Sequence, residues 1–402
     1  MRVLQVHNRY RSAAPSGENR VVDRERTALT ALGHEVTTFG PSSDEIEGWS
    51  RLQQAALPAR VVWSRGARRD LGRELAARKP DVVHLHNTFP LLSPSVLHAC
   101  RDAGVPVVAT LHNYKLACAS GDFFRNGTVC HDCAGHLPGR AVLHGCYRGS
   151  RAATAPVALS IAAHRGAWRS MVSAYVFISA AQRDLLSDLG LPPHRVFVRH
   201  NMIPRRDGPD RPHGPVVVYA GRLDEAKGLR VLMDGWDSYL AQLTSTGPGR
   251  GSLRLVIVGT GPLEPEIAQW AATRPSVELA GQVSGDQCAE IMAGARAVVV
   301  PSAWEETFGL VVVEAMAAGV PPIAAGHGSL PELITHGADG VLFAPGDPAA
   351  LGTALADADT SPGQYEKYGA AARETYQRHF DPAASVARLV EIYRFALDNP
   401  AR

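Results

Sequence analysis

Two carboxylates, Glu306 and Glu314, are separated by seven residues. Between them stand Gly309 and a short apolar run, a pattern typical of the junction between a strand and a helix. We predict a strand over 297–300 and a helix that ends near Gly319. Backbone N–H groups at the start of this helix would then lie beside Glu306, and Glu314 would lie inside the helix. Such a site suits a ligand that carries both anionic phosphates and neutral hydroxyls.

Two other interpretations of this acid pair remain open. Glu306 and Glu314 could act as the acid and base of a glycosidase, but those carboxylates must face each other across a sugar, and the spacing here is local. Alternatively, Glu306 is solvated and Glu314 is a helix residue without a function. Against this, residues 310–318 are otherwise apolar, and a buried carboxylate without a partner is costly. We therefore predict that both acids bind a ligand.

Two cations follow another predicted strand of the same half. Arg222 comes just after the strand 216–219, and Lys227 follows five residues later, near the start of a helix. This arrangement could clamp a diphosphate, although a solvated helix entry would show the same residues. Gly259 opens a glycine-rich turn that resembles half of a dinucleotide fingerprint, with Glu264 where the third glycine would stand. A tight turn without ligand contact explains Gly259 equally well.

The first half carries polar residues at its own strand ends. Asn8 follows the first predicted strand, and Gly17 precedes a helix, where a backbone N–H suits an anion. His112, Asn113 and Tyr114 follow the predicted strand 105–111. A structural role for His112 is as open here as a functional one.

Four of the six cysteines lie within 29 residues. One CxxC pair with two outlying cysteines could form a tetrahedral zinc site that orders a long loop. Free thiols are the main alternative, and disulfides are disfavoured in a reducing cytosol. The predicted zinc ligands are Cys118, Cys130, Cys133 and Cys146.

Length and composition indicate a globular protein of two domains. The chain has 402 residues, 45% of them hydrophobic and 20% charged, and its formal net charge is +2. This charge is no signature of nucleic-acid binding, and neither a signal peptide nor a membrane span is recognisable. We expect a cytoplasmic protein. Residues 60–79 hold seven basic side chains, which could contact an anionic membrane from its inner face, but a solvated helix is the preferred interpretation.

Short apolar strands alternate with amphipathic helices throughout, which predicts parallel sheets of α/β class. A segment rich in Pro, Gly and charge over 201–214 divides the chain into domains over 1–200 and 201–380, with a cysteine-rich insertion at 113–150. Ligands of doubly wound domains bind at the carboxyl ends of their strands. The predicted strands cover residues 3–6, 35–39, 81–85, 105–111, 175–178, 195–198, 216–219, 253–258, 277–279, 297–300, 322–325 and 341–343.

Taken together, the motifs of the second half resemble those of the retaining glycosyltransferases of family 4, which have the GT-B fold. The resemblance covers essentially the whole length. It implies two Rossmann-like domains facing across a cleft, with the terminal helix 381–402 returning to the first domain. The motifs that carry it are Gly221-Arg222-Leu223 with Lys227-Gly228, Gly259-Thr260-Gly261, Pro301-Ser302 with Glu306 and Glu314-Ala315-Met316, and Gly328-Ser329-Leu330-Pro331-Glu332.

The resemblance also implies roles for single residues. Arg222 and Lys227 would bind the diphosphate of a nucleotide-sugar donor, Glu314 the ribose, and Glu306 the sugar hydroxyls. His112 would lie near the reacting sugar, so His112, Glu306, Arg222 and Lys227 form the predicted catalytic group. The remaining donor-binding residues would be Gly17, Gly259, Gly281, Val283, Phe308, Gly309 and Leu310, and the acceptor-binding residues Asn8, Asn87, Asn113 and Tyr114.

The expected activity is therefore transfer of a hexose from a nucleoside-diphosphate sugar to an acceptor hydroxyl, with retention and without a catalytic metal. A UDP-sugar is favoured over a GDP-sugar, and the acceptor could be a glycan, a glycolipid or a small natural product. The alternatives are a nucleotide-sugar epimerase of GT-B fold and a non-catalytic protein that binds sugar nucleotides.

Overall fold

The computed structural model describes residues 1–12, 16–205, 213–245 and 253–401. The central part of the predicted linker, and most of a glycine-rich loop expected at 244–251, lie outside these residues. The chain divides into two compact units. Unit 1 comprises Met1–Phe123, Cys130–Met202 and Pro382–Arg402, and unit 2 comprises Phe124–Val129 and Ile203–Asp381.

Twelve strands of the described chain build two six-stranded parallel sheets, and two short strands pair antiparallel. The strands are β1 (Arg2–His7), β2 (Glu35–Phe39), β3 (Val82–Asn87), β4 (Val107–Leu111), β5 (Phe124–Arg125), β6 (Thr128–Val129), β7 (Ala174–Phe177), β8 (Val196–Val198), β9 (Val216–Ala220), β10 (Arg254–Val258), β11 (Val277–Gly281), β12 (Ala297–Val300), β13 (Pro322–Ala325) and β14 (Val341–Phe343). All twelve strands of the two sheets overlap strands predicted from the sequence.

The helices pack on the sheets or on other helices. They are α1 (Gly17–Ala31), α2 (Arg51–Ala55), α3 (Leu57–Val62), α4 (Arg65–Arg78), α5 (Ser95–Asp102), α6 (Gly139–His144), α7 (Arg151–Met171), α8 (Ala180–Leu185), α9 (Leu229–Ser245), α10 (Glu264–Ala271), α11 (Gly285–Ala293), α12 (Leu310–Ala317), α13 (Leu330–Leu333), α14 (Pro348–Thr360), α15 (Pro362–His379) and α16 (Pro382–Asp398).

Strand order shows where each sheet can hold a ligand. Unit 1 has the order β2-β1-β3-β4-β7-β8, and unit 2 has the order β11-β10-β9-β12-β13-β14. The chain reverses direction across the sheet between β1 and β3 in unit 1, and between β9 and β12 in unit 2. Doubly wound sheets bind ligands at these reversal points, beyond the carboxyl ends of the strands. The predicted fold class is confirmed.

The C-terminal helix α16 completes the core of unit 1. Its buried face includes Leu389 and Tyr393, which belong to the same apolar cluster as Val3, Val82 and Val108 of the sheet. Unit 2 has a separate core in which α9 and α14 pack together. The chain therefore ends in the unit where it began.

The basic segment 60–79 forms α4 and the end of α3. Leu71 and Leu75 of α4 are buried, whereas Arg68 and Arg69 point outward and pair with Asp102 and Asp70 respectively. This arrangement is the one expected of a solvated amphipathic helix. Contact with a membrane stays a prediction.

Candidate active site

Glycine-rich loops at the ends of β9, β10 and β11 pack backbone against backbone. The Gly221 N–H donates to the Val258 carbonyl at 3.0 Å, and the Gly259 N–H donates to the Gly281 carbonyl at 2.8 Å. A Cβ at Gly259 would lie 1.9 Å from the Gly221 carbonyl oxygen, so no other residue fits at this position. Loop packing is therefore sufficient to explain Gly259, and its contact with a donor stays a prediction.

Lys227 is brought to the end of β12 by a tight approach of two loops. The Asp224 side chain accepts from the Lys227 N–H at 3.1 Å and begins a short 3₁₀ turn, Glu225–Lys227. Gly228 then adopts a φ of 71°, and a Cβ there would lie 1.8 Å from the Pro301 carbonyl oxygen. The Lys227 ammonium consequently reaches the segment after β12 and lies 5.0 Å from the centre of the Trp304 ring.

Glu306 is the partner of this lysine. Its Oε1 atom accepts from Lys227 Nζ and from Ser302 Oγ, both at 2.6 Å. Burial alone would raise the pKa of this carboxyl, but the charge and hydrogen bonds of Lys227, together with Ser302, outweigh burial and lower the pKa. Glu306 is thus held as a carboxylate, and the two motifs recognised separately in the sequence form one site.

Arg222 stands beside this pair on an exposed loop. Its side chain is 64% exposed and pairs with Asp224 at 2.7 Å. The Tyr219 hydroxyl donates to the Arg222 carbonyl at 2.7 Å. Asp224 therefore positions both cations, through the Arg222 side chain and the Lys227 backbone. Sequence reasoning missed Asp224, although an Asp before a short helical segment is a recognisable N-cap signal.

The predicted helix after Glu306 is α12. Gly309, with a φ of 89°, is its N-cap residue and makes no side-chain cap, so the N–H groups of Leu310 and Val311 point out of the helix start without an intrahelical acceptor. Glu314 lies in the second turn and is half-buried. The apolar sequence around Glu314 indicates a buried carboxylate, whereas this side chain keeps part of its exposure to solvent.

Four other predicted donor residues differ in which groups they expose to a ligand. The Phe308 side chain is 2% exposed and packs near Phe380, so a ligand could meet only its backbone. Gly281, with a φ of 66°, ends β11, and Val283 is half-buried two residues later. Gly17 lies in unit 1 at the first position of α1, where Ser16 caps the helix by accepting from the Asn19 N–H at 3.2 Å.

His112 belongs to a buried polar network at the reversal point of unit 1. Its Nε2 atom lies 3.0 Å from His86 Nδ1, and His86 Nε2 lies 3.6 Å from Glu25 Oε2. The other oxygen of Glu25 accepts from the Arg199 guanidinium at 2.6 Å. Burial lowers the pKa of both histidines well below the usual value, so the imidazoles are neutral.

A metal ion does not fit this network. Glu25, His84 and His86 form a group whose candidate ligand atoms all lie within 4.8 Å of one another. Both ring nitrogens of His84 are already within hydrogen-bond distance of partners, Thr110 at 2.8 Å and the Tyr393 hydroxyl at 2.7 Å. The Arg199 guanidinium on Glu25 would also repel a cation. Sequence reasoning did not identify these residues, because nothing local links positions 25, 84 and 199.

The predicted acceptor residues have clear structural partners. Asn8 donates to Ser43 at 3.0 Å and accepts from the Leu91 N–H at 2.8 Å. Asn87 donates to the Asn8 carbonyl at 3.0 Å, and Tyr114 is 1% exposed in the core. Asn113 is half-buried and lines a cavity together with Asn87 and His112. Acceptor binding by the four residues stays a prediction, with Asn113 the most accessible.

The cysteine-rich segment is ordered by apolar packing. Cys133 packs with Ala119, Ala141 and Val157, and no disulfide joins the described cysteines. Within the described residues, no three of the four clustered thiols come within 4.8 Å of one another, the distance that a shared ion requires. Zinc binding therefore stays a prediction, and the arrangement described is not a tetrahedral site.

Charged side chains thus lie together beyond the carboxyl ends of the parallel strands of unit 2, and comparisons with known proteins specify the class. Residues 15–206 match the family described as Glycosyltransferase Family 4, and residues 214–358 match Glycosyl transferases group 1. The chain is a glycosyltransferase of GT-B fold and belongs to family 4.

Individual relatives agree with this assignment. A glycogen synthase of Mycobacterium tuberculosis is 27% identical and covers 98% of this chain and 94% of its own. A phosphatidyl-myo-inositol mannosyltransferase of Mycobacterium leprae is 27% identical, with 96% and 94% covered. Anabaena HepE, solved in complex with UDP-glucose, shares the fold with a TM-score of 0.66 at 18% identity, covering 97% of this chain and 98% of its own.

Among the described residues, no helix has the length and apolar character needed to cross a membrane.

Proposed function

We propose that this enzyme transfers a hexose from a UDP-sugar to an acceptor hydroxyl, with retention of configuration and without a catalytic metal. The observation that carries the proposal is the Lys227–Glu306 pair beside Arg222 and the start of α12. It combines cations for a diphosphate with a carboxylate for sugar hydroxyls. The likeness to Anabaena HepE, solved with UDP-glucose, supports the choice of UDP.

The leaving diphosphate gains negative charge as the glycosidic bond breaks. Lys227 uses one of its three N–H donors on Glu306, which leaves two for phosphate oxygens. Arg222 adds a planar guanidinium, and the first N–H groups of α12 add the positive end of a helix dipole. Donors fixed in place before the reaction stabilise developing charge most effectively, and here they act in the role that a divalent cation would otherwise fill.

Glu306 and Glu314 then bind hydroxyls rather than transfer protons. Glu306 is kept ionised by Lys227, so it is suited to accept hydrogen bonds from the sugar and poorly suited to act as an acid. The acceptor hydroxyl attacks on the face from which the diphosphate leaves. Its proton passes to a phosphate oxygen, and no enzymic nucleophile is needed.

Lys227→Met tests the diphosphate assignment. We expect kcat/KM for the UDP-sugar to fall about 100-fold or more, the usual loss when one preorganised donor is removed. Lys367→Met is the matched control, because Lys367 is exposed on α15 and should leave turnover unchanged. Lys227→Met alone also leaves the Glu306 carboxylate buried without its cation. The double variant Lys227→Met with Glu306→Gln removes that second effect, so that the loss of the Lys227 hydrogen-bond donors can be measured separately.

Three further measurements complete the test. NMR of the product reports whether the anomeric configuration is retained, turnover in the presence of EDTA reports the need for a metal, and calorimetry compares UDP with GDP. Turnover of Lys227→Met close to that of the parent enzyme would contradict the proposed role of Lys227.

A further inference from the structure

Glu18 of unit 1 is a buried carboxyl group that is only half satisfied. It lies in the first turn of α1, and its side chain is 9% exposed. The Tyr10 hydroxyl donates to Oε2 at 3.0 Å. The other oxygen, Oε1, is buried and makes no hydrogen bond within the described part of the chain.

A second unsatisfied atom faces this oxygen. His7 Nδ1 lies 3.7 Å from Glu18 Oε1, belongs to a side chain that is 4% exposed, and likewise makes no hydrogen bond to a described residue. Burial lowers the pKa of His7 to about 4, so the ring is neutral and carries one proton.

The position of that proton follows from Asn19. The Asn19 Oδ1 atom accepts from the Tyr10 N–H at 3.2 Å and also lies 2.8 Å from His7 Nε2. Because Asn19 Oδ1 is an acceptor, His7 Nε2 must carry the proton and donate it. His7 Nδ1 therefore presents a lone pair. Glu18 Oε1 and His7 Nδ1 thus face each other as two buried hydrogen-bond acceptors, and neither atom receives a hydrogen bond of normal geometry from a described residue.

This pair lies close to the loop that carries the predicted acceptor residues. Lys115 and Asn113, in the loop after β4, both lower the pKa of Glu18. Lys115 acts through its charge, and Asn113 acts with a smaller effect as a side-chain hydrogen-bond donor to the carboxyl group. His112 precedes them in the same loop and lines a cavity together with both. The titratable side chains that face Glu18 in the described residues are thus His7, Tyr10 and Lys115.

We propose that Glu18 Oε1 and His7 Nδ1 bind the acceptor substrate by accepting a hydrogen bond from one of its hydroxyl groups. The assignment rests on the proposed function and narrows the acceptor class. The group bound here is a neutral hydroxyl, as on a sugar ring, and not a phosphate or carboxylate, because an anion would face the Glu18 carboxylate and the lone pair of His7 Nδ1.

The pKa of Glu18 agrees with this geometry. Burial raises it to about 7, although Tyr10, Lys115 and Asn113 act in the opposite direction. When the site is empty and acidic, the protonated carboxyl supplies the missing donor itself and bonds to His7. Below about pH 7 the hydrogen bond between Glu18 and His7 competes with binding of the acceptor substrate. Above that pH the Glu18 carboxylate is free to accept a hydrogen bond from the substrate hydroxyl.

Glu18→Gln is the main test, with the UDP-sugar that supports turnover as donor and methyl glycosides of hexoses as acceptors. The Gln amide can donate to His7 Nδ1 and so close the site. We expect the acceptor KM to rise about 10-fold or more, while UDP binding and donor hydrolysis are unchanged. In the parent enzyme the acceptor KM should increase as the pH falls below about 7, and in Glu18→Gln it should be independent of pH.

Tyr10→Phe removes a hydrogen bond that lowers the Glu18 pKa, so the pH at which the acceptor KM begins to rise should move upward. Glu35→Gln, on the exposed end of β2, should change nothing.

A melting temperature at pH 8 separates binding from a structural role. If Glu18 serves binding, Glu18→Gln removes a buried charge, and the melting temperature should rise by a few degrees. If the carboxylate instead stabilises the fold, the melting temperature of Glu18→Gln should fall. The proposal would be overturned if the acceptor KM were unchanged in Glu18→Gln. It would also be overturned if the parent enzyme turned over the donor but bound none of the methyl glycosides. A parent enzyme that does not bind UDP would instead refute the proposed function.

Discussion

At the scale of single residues, two buried ion pairs differ in what they leave for a ligand. Arg199 and Glu25 are 2% and 0% exposed, and Arg199 also donates to the Ser385 carbonyl of α16. This pair is enclosed by its own unit and has almost no surface that a ligand could reach. Lys227 is 24% exposed and Glu306 9%. The Lys227–Glu306 pair is only partly enclosed, and Lys227 keeps N–H donors that Glu306 does not use, so this pair is suited to bind a charged substrate.

Glu306 and Glu314 should fail in different ways when altered. Glu314→Gln should weaken UDP binding about 10-fold with kcat nearly unchanged, because a charged hydrogen bond to the ribose is worth roughly 1.5–3 kcal/mol. Glu306→Gln should lower kcat and leave the UDP affinity close to that of the parent enzyme, because Glu306 is assigned to the sugar. Calorimetry with UDP and initial rates with the UDP-sugar measure the two quantities, and identical defects in both would contradict this division.

The sequence predicts this site only as far as local patterns reach. Arg222, Lys227 and Glu306 are recognisable because each follows an apolar strand. Their direct pairing could be inferred only after the strand order placed β9 beside β12. The Glu25–Arg199 pair and the two facing lone pairs of Glu18 and His7 have no sequence signal, since they depend on side-chain geometry.

At the scale of elements, the sequence predicts that α16 is a helix but does not predict what it packs against. Its helical pattern is recognisable, but the surface it covers is not, because its partners lie more than 200 residues earlier in the chain. Leu389 and Tyr393 pack against β1, β3 and β4, and the Tyr393 hydroxyl reaches His84. The helix therefore supports the strand that also carries His86, the neighbour of His112.

Leu389→Ala should destabilise unit 1 by about 2–5 kcal/mol, the usual cost of a cavity left by a fully buried leucine. Leu389 is 0% exposed. Leu397→Ala is the matched control on the same helix, because Leu397 is 38% exposed and should have little effect. Urea unfolding followed by circular dichroism measures both changes. Equal stability losses would show that α16 does not contribute to the core as the structure indicates.

At the scale of the whole molecule, alternation of strands and helices is sufficient to predict two parallel sheets, because apolar strands of this length between helices have few other arrangements. The predicted zinc site stays a prediction. The structure adds that Cys133 packs with Ala119 and Val157 in the same segment, and small apolar contacts of this kind leave no pattern in a sequence.

The nucleotide assignment also has a consequence for the two units. Arg222, Lys227, Glu306 and Glu314 all belong to unit 2, so UDP alone should protect that unit in particular. At about 100 times its Kd, UDP should stabilise the bound state by roughly 2.7 kcal/mol. Hydrogen exchange by mass spectrometry should then slow about 100-fold at residues 309–312, whereas amides of α16 in unit 1 should exchange as before. Equal protection of α16 would show that UDP contacts or orders both units, and no protection at 309–312 would exclude the start of α12 from the phosphate site.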